Sequence, residues 1–267
     1  MLRRLGILAI ILAGLPTAAL AVDAKTTGMW TVQIGVEGWV MPRWVGSDGT
    51  YIFLPVPLLD VRKAGTPERF HSTRDSFGVA LIDMGQFRAG PVVWGRLSRK
   101  ESKDSKLIGL GDIDTAYEFG IFAEYMWAPW LRTRAEVRQG TGGHHGTVAD
   151  LAADVIAPAT RQLTLSAGPR ITLASTSATS PYFSVTTAQS AASGLPVYDA
   201  KGGVWSVGAG AKARYLWNQQ WGTHVFAEYE RLTGDAGNSP IVTMRGSRDQ
   251  WTFGAGVTYA FDLKAWW

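Results

Sequence analysis

The chain has no cysteine, which removes disulfides, thiolate metal sites and cysteine nucleophiles from consideration. Histidine is scarce: His71, His144, His145 and His224 are the four that 267 residues supply. Neither Gly-x-Ser-x-Gly nor His-Glu-x-x-His occurs, so the usual strand-turn-helix nucleophile and the paired-histidine zinc helix are absent. No stretch reaches the roughly 18 consecutive apolar residues of a spanning helix. Charge of one sign is lacking too. With 26 Lys and Arg against 22 Asp and Glu the net charge is +4, too even for a dedicated nucleic-acid surface.

What is present is apolar and aromatic. Hydrophobic residues make up 46%, with 12 Trp, 8 Tyr, 10 Phe and 31 Gly. The first residues read as an export signal: Arg3 and Arg4, an apolar run from Leu5 to Leu15, then the small-x-small triplet Ala19-Leu20-Ala21. This is a secretory signal peptide, cleaved near Ala21, which leaves residues 22–267 as one unit. Cleavage removes two arginines and lowers the charge from +4 to +2. A membrane protein without spanning helices has to be a barrel, because hydrocarbon cannot satisfy open backbone groups.

Residues 249–261 carry the barrel pattern most plainly. Trp251, Phe253, Ala255, Val257, Tyr259 and Phe261 share one face, while Thr252, Gly254, Gly256, Thr258 and Ala260 share the other. Large apolar groups toward lipid and small polar ones toward a lumen are the signature of an outer-membrane strand. The predicted fold is all-β: a closed antiparallel transmembrane β-barrel of about 12 strands, or 10 if 67–83 is one irregular strand. The predicted strands are 30–40, 51–60, 67–73, 76–83, 86–98, 113–126, 131–139, 147–157, 162–173, 203–217, 221–231 and 249–261. Their connections alternate between short and long, as periplasmic turns and outer loops do. Only the two residues 74–75 break the alternation. Tyr117, Phe119, Trp205, Tyr215, Phe253 and Tyr259 are predicted to face outward.

Charge collects on the other face. Glu118 and Glu124, the ladder Arg132, Arg134, Glu136 and Arg138, and then Asp150, Asp154, Arg170, Lys212, Arg214 and Glu228 all point inward on this reading. Opposite charges at cross-strand positions attract, so the lumen is predicted to be crowded with ion pairs. A charged constriction passing small polar solutes is the functional rival. His144 and His145 could contact a ligand, but adjacent strand residues point to opposite faces and cannot chelate one ion while extended. No metal, cofactor or catalytic set is expected. The run 99–106 reads as a solvated loop tip and 174–180 as a flexible one. Residues 181–187 are expected to extend the wall as a strand or fold inward across the mouth.

Ordered motifs along the chain carry a family resemblance. They include Gly46-Ser47, Pro55-Val-Pro57, Gly90-Pro91, Asp112-Ile113-Asp114, Glu118 to Tyr125, His144-His145-Gly146, Gly168-Pro169-Arg170, Gln189 to Leu195, Glu228-Tyr229 and Ser239-Pro240-Ile241-Val242. The chain resembles the MipA/OmpV family of Gram-negative outer-membrane proteins over nearly its whole mature length. That resemblance implies an outer-membrane location, contact with outer-membrane lipid, and a non-enzymatic scaffold that binds a lytic transglycosylase and a murein synthase. Transport of a small solute and surface adhesion are the alternatives. The expected barrel end, an aromatic such as Phe261, is followed here by further residues to Trp267.

Overall fold

The computed structural model describes residues 28–264. The expected signal peptide and Trp267 lie outside the described residues. Ten long strands build the wall: β1 (Met29–Pro42), β2 (Tyr51–Lys63), β5 (Phe87–Arg96), β6 (Ala116–Ala128), β7 (Leu131–Gly142), β8 (Thr147–Pro158), β9 (Leu163–Ala174), β10 (Gly203–Leu216), β11 (Trp221–Leu232) and β12 (Asp249–Lys264). Two fragments, β3 (Phe77–Gly78) and β4 (Ile82–Asp83), are each two residues long.

All pairings are antiparallel, in the order β2-β1-β12-β11-β10-β9-β8-β7-β6-β5-β3, with β4 also on β5. Chain-terminal β12 therefore lies against β1, where Val36 sits opposite Val257. The sheet curls until β1 and β5 meet inside it, Trp39 and Trp94 having ring centroids 6.3 Å apart. Among the described residues no ladder joins β2 to β3 or β4. Pro55 and Pro57 lie on β2 and Pro91 on β5, next to that seam; each lacks the N–H a ladder would use.

One predicted strand is absent. Residues 67–73 form no strand, and 76–83 yields only the fragments β3 and β4, paired at Phe77–Val93 and Ile82–Ala89. The stretch Glu68-Arg-Phe-His-Ser-Thr-Arg-Asp-Ser76 is polar on both would-be faces. Such a segment has no lipid side to offer, and it goes inside instead.

The faces follow the sequence from β6 onward. Tyr117, Phe119 and Phe253 are exposed on the outer surface, and Tyr215 and Tyr259 sit 4.8 Å from Trp217 and Trp221. Two aromatic belts result. On β6 they run from Tyr117 to Tyr125, eight residues or about 27 Å of strand at ~3.4 Å each, which suits an apolar band of about 25 Å once the strand tilts. At the short-turn end Trp127 donates to Thr133 Oγ1 at 2.9 Å and Trp217 to Thr223 Oγ1 at 3.0 Å. The indole N–H is thus satisfied while the ring stays in the interface.

Trp205 departs from its predicted outward position and is 4% exposed. The register of β10 on β9 shifts between Val204 and Ser206. The bulge inserts one residue and reverses the alternation beyond it, so Trp205 turns inward and Val204 outward.

The long connections fold into a cap over one mouth. Helices α1 (Thr176–Phe183), α2 (Thr187–Ser193), α3 (Gly234–Asn238) and α4 (Pro240–Arg245) all lie there. Tyr182, Phe183, Trp205, Leu232 and Val242 form one apolar cluster, and Trp44, Leu107, Leu110, Val185, Leu195 and Ile241 a second. Residues 174–180 are therefore not a flexible tip: Ala178 and Thr179 are buried in α1. Of the two expectations for 181–187, the inward fold is the one found, with a single bridge from Val185 to Tyr198 as its strand-like remnant. The run 99–106 is only partly solvated, since Arg99 is buried and bridges Ile113.

Candidate functional site: the filled lumen

After β2 the chain turns at the short-turn end and climbs inside the sheet as residues 64–76. No ladder holds it there. Beyond Ala64, whose N–H donates to the Met29 carbonyl at 3.0 Å where β2 ends, its backbone bonds among the described residues are local, Thr66 N–H to the Lys63 carbonyl at 3.1 Å and Asp75 N–H to the Ser72 carbonyl at 3.2 Å. Side chains do the holding. Glu68 accepts from Gln33 at 3.1 Å and pairs with Arg214. Arg170 donates to Ser72 Oγ at 3.0 Å, and Thr73 donates to Glu228 at 2.8 Å. Arg74 reaches Thr172 at 2.9 Å and pairs with Glu230 and Asp150. Asp75 takes both terminal nitrogens of Arg132, at 2.7 and 3.3 Å. Ser76 donates to Glu136 at 2.5 Å.

Around this plug the predicted charges interlock. Arg132, fully buried, bonds Glu124 at 2.7 Å and Asp154 at 3.0 Å as well as Asp75. Arg134 bonds Glu136 at 2.7 Å and Glu124 at 3.1 Å, and its guanidinium lies 3.9 Å from the Phe122 ring centre. Arg138 bonds Glu118 at 3.0 Å and Glu136 at 2.5 Å, and pairs with Asp150. Arg170 bonds Asp154 at 2.6 Å and lies 3.8 Å from Glu228. Charges taken out of water need this degree of pairing and geometry to persist. Lys212 is the outlier of the twelve predicted positions: among the described residues its one hydrogen bond goes to the His71 carbonyl, at 3.5 Å.

The pair His144 and His145 lies in the turn between β7, which ends at Gly142, and β8, which starts at Thr147. His144 is buried, His145 exposed. The Gly146 N–H donates to His144 Nδ1 at 3.2 Å, which leaves Nε2 to donate to Glu118 at 3.1 Å. Gly140 makes room for this ring: a Cβ there would overlap His144 Cε1, Nδ1 and Nε2. The imidazole then meets Tyr182 of α1 edge-on at 5.9 Å, and Arg96 stacks over Trp205 at 4.9 Å while bonding Glu118 at 3.0 Å. Glu118 thus joins the lumen network to the cap. Arg99, in the cap, donates to the Tyr182 carbonyl at 2.8 Å. Burial pushes its guanidinium down to about 10, with Tyr182 and Asp112 acting in the other direction, so it stays cationic at neutral pH.

The two ends of the lumen differ. Helices and apolar clusters seal the long-loop mouth. At the short-turn mouth the His71 side chain is 51% exposed, beside Lys212 and the Glu68–Arg214 pair. His224 and Trp39 both turn to Glu37, Trp39 donating at 2.9 Å. Among the described residues no group of three or more His, Asp or Glu side chains is arranged to hold a metal ion.

The charges of the wall are legible in the alternation; the plug is not. In the sequence pattern Glu68, Ser72, Thr73, Arg74, Asp75 and Ser76 fall in expected strands or in the 74–75 connection. The signal was that anomalous two-residue connection, the one place where short and long failed to alternate.

The profile of the family described as "MltA-interacting protein MipA" matches residues 34–261. No curated protein matches the chain. Among solved structures, the chain is similar to an outer membrane channel from Pseudomonas putida F1 at 9% identity and TM-score 0.43, covering 93% of this chain and 100% of that one. It is similar to the NanC porin at 10% identity and TM-score 0.40, covering 86% and 98%. A third, OmpT of Vibrio cholerae, shows 10% identity and TM-score 0.36, covering 87% and 96%.

Proposed function

This chain belongs to the MltA-interacting protein family, is an outer-membrane protein, and on that premise we propose that it is a non-enzymatic, non-conducting barrel that serves as a scaffold for murein machinery. The observation that carries the reading is the filled lumen. Residues 64–76 and the Arg132–Arg134–Arg138 ladder occupy its middle, and an apolar cap covers one mouth. A conduit would need a continuous wet path; this interior is built from paired charges that hold one another.

The wall closes on this reading between β2 and residues 77–83, because an open edge cannot face hydrocarbon. The contact of Trp39 with Trp94 supports that, since these residues stand on strands near opposite ends of the sheet order.

The partners are a lytic transglycosylase and a murein synthase, met at the short-turn end. The turns there, 129–130, 159–162 and 217–220, are small beside a standard interface of about 800 Å² per partner. Trp130, in the first of these turns, is exposed on the same rim and enlarges the surface on offer. Crosslinking in intact cells followed by pull-down of the barrel tests the proposal. Recovery of a transglycosylase or murein synthase supports it. Recovery of neither, under crosslinking that captures other outer-membrane contacts, refutes it.

A further inference from the structure

The plug presents its two charges in an unusual way. Arg74 and Asp75 are adjacent, so their α-carbons stand about 3.8 Å apart, yet their side chains reach two different seats, which adjoin along the paired strands β7 and β8. The cation seat comprises Glu230, Asp150 and Thr172, on β11, β8 and β9. The anion seat is Arg132, gripping the Asp75 carboxylate at 2.7 and 3.3 Å, with Arg134 at 3.6 Å, both on β7.

Every seat residue is on a wall strand, and most are tied to other wall residues. Arg132 is held by Glu124 and Asp154, Arg134 by Glu124 and Glu136, and Asp150 by Arg138 and Thr172. The seats therefore keep their shape if the segment leaves. Glu230 is different: among the described residues, Arg74 is the cation paired with it. The occupant, by contrast, is fastened by polar side chains and not by a ladder. Groups that can be rehydrated, on a chain tethered at both ends, hold by effective concentration more than by intrinsic affinity. A soluble competitor with the same two charges competes against that tether, and it would enter past His71, the exposed member of the segment at the short-turn mouth.

We infer that the Arg74–Asp75 seat is a binding site for a peptide-like zwitterion, which residues 64–76 occupy as an internal stand-in. The ligand class is a small molecule bearing a guanidinium or ammonium group and a carboxylate spaced as on neighbouring residues. Its cation would meet Glu230 and Asp150, its carboxylate Arg132 and Arg134. Displacing the segment would deliver residues 64–76 to the short-turn side.

The test empties the seat without deleting the segment. The variant Arg74→Ala/Asp75→Ala is folded in detergent and probed with N-acetyl-arginyl-aspartyl amide by calorimetry and thermal unfolding. The variant should unfold at a lower temperature than the wild type, and the dipeptide should restore most of that loss saturably. Acetyl-aspartate amide and methylguanidinium, added together but unlinked, should restore far less. Adding Glu230→Gln should weaken dipeptide binding by about tenfold, the effect of one charge-assisted contact. Absence of saturable binding, or equal rescue by the unlinked ions or by sodium chloride, overturns the inference. If the double variant fails to assemble, Asp75→Asn with acetyl-aspartate amide takes its place, and no saturable binding there has the same meaning. Capture or loss of a murein enzyme does not bear on this result, so the two proposals fail separately.

Discussion

Replacing Arg132 by Met removes the charge on which the lumen converges while keeping an unbranched chain of similar length. Three carboxylates lose a partner, and not equally. Glu124 keeps Arg88 at 3.0 Å and Arg134 at 3.1 Å. Asp154 keeps Arg170 at 2.6 Å. Asp75 keeps Arg134, at 3.6 Å, His71, at 3.8 Å, and the Ser72 N–H, at 3.0 Å, with its side chain 4% exposed. Breaking a buried pair from one side costs about 3–5 kcal/mol, because a charge is left without its counterion. The retained partners place Arg132→Met near the lower end, about 3 kcal/mol. Arg231→Met is the control, since Arg231 and Asp249 lie 2.6 Å apart but are 48% and 44% exposed; such a pair contributes about 0–1 kcal/mol. Urea unfolding of protein refolded into lipid vesicles, followed by tryptophan fluorescence, measures both. In the Arg132→Met background, Asp75→Asn should cost much less than in the wild type, because the orphaned charge is then gone; a coupling of about 0.5–3 kcal/mol is the range for contacting residues. If Arg132→Met costs no more than Arg231→Met, the lumen is hydrated and its pairs are not structural.

Other outcomes follow from the cap. Gly140→Val should displace the His144 ring from Glu118 and loosen α1, read as increased fluorescence quenching of buried Trp205; unchanged quenching would mean the ring has another resting place. Asp104 is held below the usual carboxylate range: its partial burial pushes it up, but the Trp44 indole at 2.9 Å, the Lys106 N–H at 3.0 Å, Thr50 and the Lys106 charge outweigh that. A depressed folded value means stability that is present above the unfolded value, about pH 3.9, and is lost as pH falls through the folded one. The Trp44 environment should therefore change in that acid window in the wild type, and Asp104→Asn should flatten the change. Protease applied to intact cells should spare Tyr182 to Val185, which are packed under α4 with the Phe183 carbonyl accepting from Ser239 at 2.6 Å; rapid cleavage there would mean an open, mobile mouth.

The wall was legible because each strand from β6 to β12 alternates over its full length, and the alternation alone separates lipid face from lumen face. Where it misled, a local feature intervened. Trp205 keeps the sequence alternation but sits on a bulge, which period-two reading cannot see. Residues 67–73, expected as a strand, form none, since Glu68 to Ser76 offers no apolar face. The cap helices are five to eight residues long, too short for a helical period to register. Two of their starts were nonetheless written in the chain: Thr186 and Gln189 form a capping box, and Ser239 caps a helix with Pro240 at its first turn, both recognised N-terminal signals. The partners of Arg132 and Glu230 could not be found by pattern, since Asp75 and Arg74 reach them only after the chain has turned back through the sheet.

The filled lumen is tested most directly by planar-bilayer recording of the purified, refolded wild-type protein. With residues 64–76 in place and the cap closed, the bilayer should stay silent, apart from brief, irregular events. Large, steady single-channel currents would show a continuous water path through the barrel, and would replace the scaffold reading with a transport one.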